Sequence, residues 1–104
     1  MADYVLTDSA QADVEDIIAA IAKDGVKTAT RFVEEVYDAF EFLAKHPRAG
    51  HRRADLTDRK VLFWTVMRAF TIVYRISDPL VIVRVVRWRR ATRMFFAEGG
   101  IEER

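Results

Sequence analysis

Three runs of β-branched and aromatic residues crowd the second half of the chain: Lys60–Val66 (KVLFWTV), Phe70–Ile76 (FTIVYRI) and Leu80–Trp88 (LVIVRVVRW). The connections between them, Met67-Arg68-Ala69 and Ser77-Asp78-Pro79, are of hairpin length, so the runs are expected to pair as an antiparallel meander. Pro79 has no N–H to give to a ladder and belongs in the turn. In the middle run Phe70, Ile72, Tyr74 and Ile76 alternate with Thr71, Val73 and Arg75, the period of a strand. The last run is interrupted by Arg84 and closes on Arg87, Arg89 and Arg90 around Trp88. It reads as a strand that leaves the core and ends in positive charge.

Such a sheet has an apolar face to cover, and the first half of the chain supplies the cover. Asp8 is expected to cap a helix, with Gln11 three residues on in a capping-box-like arrangement. Ala10, Val14, Ile17, Ile18 and Ile21 draw one stripe down that helix, and Gly25 is placed to end it in a left-handed turn. A second helix is expected from Val26 or Lys27 to Lys45, with Ala29, Phe32, Val33, Val36, Phe40 and Leu43 as its stripe. Tyr37 and Phe42 flank this stripe and are expected to cover an edge of the sheet. Pro47 stops the helix, because the residue before a proline avoids helical angles. Two helices with so short a connection are antiparallel neighbours. Tyr4-Val5-Leu6 reads as a short first strand that returns to the sheet, and residues 47–58 as a basic loop.

The expected fold is therefore α+β, in the order β-α-α-β-β-β: a helical hairpin packed on one face of a small antiparallel sheet. Residues 1–96 are expected to form one domain and residues 97–104, with Gly99-Gly100, a frayed tail. Met94, Phe95 and Phe96 would need a partner surface.

Several chemistries are excluded or left without support. The chain of 104 residues has no cysteine, which rules out disulfides, thiol catalysis and cysteine-bound metal. No Gly-rich phosphate loop is present. His46 and His51 lie five apart across a proline without further ligands, so neither metal nor cofactor is expected. Ser9 and Ser77 each stand beside an aspartate in a cap or turn, and Asp13/Asp16 and Glu34/Asp38 read as solvated helix carboxylates. Neither a signal peptide nor an apolar run approaching the roughly 20 residues of a membrane span is seen, so a cytoplasmic protein is expected.

The net charge of +1 conceals a division. Residues 1–46 hold ten acids and four bases, whereas residues 47–104 hold six acids and thirteen bases. An anionic partner would dock on the second half. Arg48, Arg52, Arg53, Arg59 and Lys60 come from the loop and the start of the following strand, and Arg68 from the first hairpin turn. Arginine offers a rigid fork of donors to phosphate or carboxylate, and Trp88 offers a face for a base or a guanidinium. RNA, DNA and an acidic protein all fit this composition. Arg84, inside an apolar run, is better read as snorkelling across a sheet face or pairing with a helix acid than as a ligand contact.

Three motifs in order resemble the RelE/ParE superfamily of toxins from type II toxin–antitoxin modules. His46-Pro47, Gly50 and Arg52 are similar to the HP–x–x–G–x–R run of ParE-like proteins. Phe70-Thr71-Ile72-Val73-Tyr74-Arg75 resembles the third-strand pattern YRIxYxI, and the stretch from Ile82 to Arg90 resembles the ending IxxRVLHxRR. The resemblance covers roughly residues 4–90 and favours the ParE-like branch. It implies a plasmid-stabilising toxin that inhibits DNA gyrase, is not an enzyme, and is neutralised in a hetero-oligomer with a ParD-like antitoxin. Partner contacts are then expected from Arg52, Arg53, Arg87, Trp88, Arg89 and Arg90, and from Tyr37, Phe42 and Phe95. RelE-like members are ribosome-dependent mRNA endoribonucleases; on that alternative Arg68, Arg87 and Arg89 would carry the chemistry. Thr71 stands where such nucleases have an arginine, and a neutral side chain cannot stabilise a phosphoryl transition state in the same way. A non-toxic member that only sequesters an antitoxin is the third alternative.

Overall fold

The computed structural model describes residues 3–89. The domain limit expected at residue 96, the tail, Arg90 and Met94 to Phe96 lie outside them. The order of elements is β1 (Tyr4–Leu6), α1 (Asp8–Ala22), α2 (Val26–Lys45), β2 (Leu62–Val66), β3 (Phe70–Arg75) and β4 (Leu80–Arg87). The expected α+β arrangement is the one observed. The sheet order is β1-β4-β3-β2. β2, β3 and β4 form the antiparallel meander, while β1 joins β4 in parallel with Leu6 opposite Ile82, so the sheet is mixed. Parallel pairing of β1 with β4 needs a long connection, and the helical hairpin is part of it.

Local details differ from the sequence reading at the helix ends. Thr7, not Asp8, caps α1: its hydroxyl accepts the Ala10 N–H at 3.0 Å and donates to the Val83 carbonyl at 2.8 Å. Gln11 bonds Glu15 instead of closing a capping box. Threonine wins because its hydroxyl can serve the helix and the end of the β1–β4 pairing together. Gly25 does not sit in a left-handed turn. Its φ of 169° is extended, and it is the N-cap of α2.

The helical stripes behave as their spacing predicts. Val14, Phe32, Val36, Phe40 and Leu43 are fully buried against Ile72, Tyr74, Ile82 and Val85. Burial of each such side chain contributes on the order of 2 kcal/mol. The far side of the sheet is covered as well. Leu56 and Val61, from the segment read as an open basic loop, bury themselves with Phe63, Val73, Val83 and Val86. β3 is thereby sealed on both faces from Phe70 to Tyr74. Ile76, expected on its inner face, falls beyond the strand and is exposed.

The β3–β4 register shifts between Val73, opposite Arg84, and Tyr74, opposite Ile82. Val83 is the extra residue of a bulge. β1 ends opposite Ile82, so the rest of β4 is a sheet edge. There the Val85 N–H donates to Asp13 Oδ2 at 3.0 Å, and Arg84 grips the same carboxylate with Nε at 2.7 Å and Nη2 at 3.0 Å. Asp13 is thus not a solvated carboxylate; both partners are largely withdrawn from water. Of the two outcomes open to Arg84 in an apolar run, snorkelling or pairing with a helix acid, the fold takes the second.

Candidate functional site

Two surfaces concentrate the residues that sequence reasoning marked for function. The first is where the basic loop meets the end of β4. Trp88 and Arg89 leave the strand in helical geometry, and the Trp88 N–H is held by the Ala69 carbonyl at 3.1 Å. The Arg53 guanidinium lies 4.7 Å from the centre of the half-exposed Trp88 ring. Its orientation is set by a bidentate pair with Asp55, at 2.9 and 2.7 Å. Hydrogen bonding to Arg53 holds the Asp55 carboxyl below its ordinary range. Arg52 and Arg89 are exposed nearby in sequence.

The arginines of β4 do not form the single cluster that their spacing suggested. Arg84 is spent on Asp13. Arg87 folds over the Phe70 ring, 5.0 Å from its centre, beside a depression shared with Asp13, Asp16, Ile17 and Ala20. Strand alternation puts Arg87 on the face of Val85 and Phe70, opposite Val86, whereas Trp88 lies past the end of the strand. Arg68 stands exposed at the tip of the β2–β3 hairpin. Arg90 lies outside the described residues. Thr71 is buried at 1 % exposure, and its hydroxyl has no hydrogen-bond partner among the described residues.

The second surface runs along α2 and β2. Phe42, 41 % exposed, stacks on Trp64 at 5.4 Å and on His46 at 4.8 Å. Beside them is a trough of about 330 Å³ lined by Glu35, Asp38, Ala39, Phe42, Trp64 and Met67, among others. A second depression shares Phe42 and continues past His46 and Arg48. Tyr37 is not part of this surface; it packs edge-on against Phe40 on the β1 side, with Tyr4 on the same ring. Phe95 lies outside the described residues. Trp64 is half-buried and belongs to the trough wall.

Sequence reasoning missed Asp13 and Glu35. For Asp13 the signal was available: it precedes Val14 and follows Ala10 by three, on the buried side of the helix, and Arg84 interrupts an apolar run. An acid and a base each misplaced among apolar neighbours predict one another. Glu35 has no such signal.

Among the described residues no group of three or more potential ligands gathers for a metal, and no helix is long and apolar enough to cross a membrane.

A helical hairpin on a four-stranded sheet, in the order β-α-α-β-β-β, is the architecture expected of the small RelE/ParE-type toxins. The chain belongs to the ParE family: the family described as ParE toxin of type II toxin-antitoxin system, parDE, matches residues 4–94. A chain from the solved structure of the chromosomal ParDE TA system from P. aeruginosa has a similar fold, with a TM-score of 0.67 and 22% sequence identity. The alignment covers 84% of this chain and 96% of that one. No curated protein matches.

Proposed function

We propose that this chain is a toxin that inhibits DNA gyrase by binding it, and that a cognate antitoxin neutralises it in a hetero-oligomer. Membership of the ParE family over residues 4–94 is the observation that carries this reading. The state of Thr71 supports it against the nuclease alternative. The position is neutral and sealed inside the sheet, so it can neither offer a cation nor approach a scissile phosphate. Arg53, Trp88 and Arg89, with the exposed Arg52, form the surface that would meet gyrase. The toxin would act in the cytoplasm, where gyrase works, and would stabilise a plasmid carrying the module.

The test is gyrase supercoiling with purified toxin. Loss of supercoiling, or trapped cleavage complexes, relieved by antitoxin, is the expected result. Unchanged supercoiling at saturating toxin would remove the reading, and mRNA cleavage on programmed ribosomes would replace it with the nuclease.

A further inference from the structure

The two faces of the sheet carry charge of opposite sign. On one face lie α1 and α2, and residues 1–46 hold ten acids against four bases. On the other lies the segment before β2, sealed to the sheet where Leu56 and Val61 join Phe63, Val73, Val83 and Val86. Residues 47–61 hold five bases against two acids. The halves that differ in sign along the chain are thus opposite layers in the fold. A polyanion is repelled by the helical layer and drawn to the loop layer, so the molecule has one side to present to it.

The cations of this layer are neither neutralised nor loosely hung. Arg52, Arg59, Lys60 and Arg89 are exposed, and none has an acidic partner among the described residues. The segment that carries the first three is fastened along its length. His51 exchanges both backbone bonds with Phe63, at 2.9 and 2.8 Å. The Leu56 N–H donates to the Arg53 carbonyl at 2.9 Å, and the Arg59 N–H to the Thr57 hydroxyl at 3.1 Å. A partner would therefore have only side chains to order, not backbone. Arg53 has a different part. Its fork is spent on Asp55 and its face on Trp88, so it is a strut that braces an indole 38 % exposed beside Arg89. The segment starts on the free side of β2 and reaches the end of β4, and the cations are strung along it and along the strand end it touches.

We propose that Arg52, Arg59, Lys60 and Arg89, with Trp88 beside them, bind the phosphate backbone of the duplex DNA on which gyrase acts. This rests on the gyrase reading above. Duplex DNA carries one charge per about 1.7 Å of its axis, so it meets cations at any spacing along a line. An acidic protein surface would have to match each cation with a placed carboxylate. The indole next to the cations adds a flat face for a sugar or an exposed base. The toxin would then hold enzyme and DNA together, with its acidic helices turned away from the duplex.

The test is titration of a short fluorescein-labelled DNA duplex with the full-length toxin, read by anisotropy over a range of salt. The logarithm of the binding constant is expected to fall against the logarithm of salt with a slope of about −3, the release of counterions from about three or four phosphates. Duplexes of unrelated sequence are expected to bind equally, because phosphate contacts carry no sequence information. Arg52→Glu with Arg59→Glu is expected to weaken binding about tenfold or more and to flatten the slope by about two. Lys23→Glu with Lys27→Glu makes the same change of net charge on the helical layer and is expected to bind nearly as the unsubstituted toxin does. All four side chains are exposed, so both variants are expected to keep the melting temperature. In the supercoiling assay the loop variant is expected to need about tenfold more toxin and the helical variant no more. No duplex binding by the unsubstituted toxin, or equal losses in the two variants, with gyrase inhibition intact, would overturn the proposal and leave the gyrase reading standing. Loss of binding to DNA-free gyrase in the loop variant alone would also overturn it, and would assign the cations to an acidic surface of the enzyme. No inhibition of gyrase by the unsubstituted toxin would remove both.

Discussion

Gly50 donates its backbone N–H to the Tyr74 hydroxyl at 2.8 Å, and that hydroxyl in turn donates to the Pro47 carbonyl at 2.7 Å. Two sequence motifs 24 residues apart at this pair are therefore one structural unit. The chain after α2 is held over the end of the sheet by a phenol rising from β3. The glycine is required by proximity: a Cβ at position 50 would lie 2.7 Å from Tyr74 Cε1 and 2.9 Å from Cζ, closer than real contacts allow. Tyr74→Phe should lower stability by about 1–3 kcal/mol, because it leaves a backbone donor and a backbone acceptor without their partner. Gly50→Ala should cost about 1–3 kcal/mol by overpacking. Denaturant unfolding of both single variants and the double variant checks this. The double variant should lose less than the sum, since each change damages the same contact.

The same hydroxyl makes stability depend on alkaline pH. Burial raises the Tyr74 pKa above its ordinary 10.0, against a smaller opposite effect of the Gly50 hydrogen bond. The unfolded chain then loses the phenolic proton at lower pH than the folded chain. The associated stability is fully present below the unfolded pKa and is lost as pH rises through the folded one. Tyr4 is raised too, by burial first and then by Tyr37 and Glu41. The melting temperature should fall above about pH 10, and Tyr74→Phe should make that fall shallower. An equal slope in both proteins would contradict the assignment.

Asp13→Ala should be among the most destabilising substitutions outside the apolar core. It strands the Arg84 guanidinium and the Val85 N–H at a partly buried sheet edge, at a cost of about 3 kcal/mol. Replacing both, as Asp13→Leu with Arg84→Met, should recover part of the loss, because no buried charge then lacks a partner. Thermal melts of the three proteins are the measurement.

The β2–β3 turn should be improvable. Met67→Asn with Arg68→Gly suits the left-handed angles of that turn and should raise stability by about 1 kcal/mol. If the trough serves a partner, the same change should weaken antitoxin binding, a trade between stability and function readable by titration beside the melt.

Arg89→Ala and Trp88→Ala should each reduce gyrase inhibition by about tenfold. Both residues are exposed at the end of β4, so melting temperature and antitoxin binding should hold. Dose–response in the supercoiling assay, run with the melts, separates a lost contact from a damaged fold.

Periodicity alone determined the two helices, the meander and the order β-α-α-β-β-β, because apolar stripes at helical and strand spacing have few ways to bury each other. It also determined that Arg84 had a structural place, because a cation inside a β-branched run either snorkels to water or pairs with an acid; the fold decided for Asp13. Tertiary structure decided what depends on pairs distant in sequence. Thr7 took the cap from Asp8 because Val83, 76 residues away, offered its hydroxyl a second bond. The loop became a cover because Leu56 and Val61 found the outer face of the sheet. The cluster at the end of β4 was divided because alternation sends Arg87 toward Phe70, while Trp88, past the strand, meets Arg53 from the loop. Which backbone groups at the margins of the sheet are capped was likewise invisible in the chain. It follows from where Asp13 and His51 happen to meet strands they do not adjoin, and a one-dimensional pattern carries no information about that meeting.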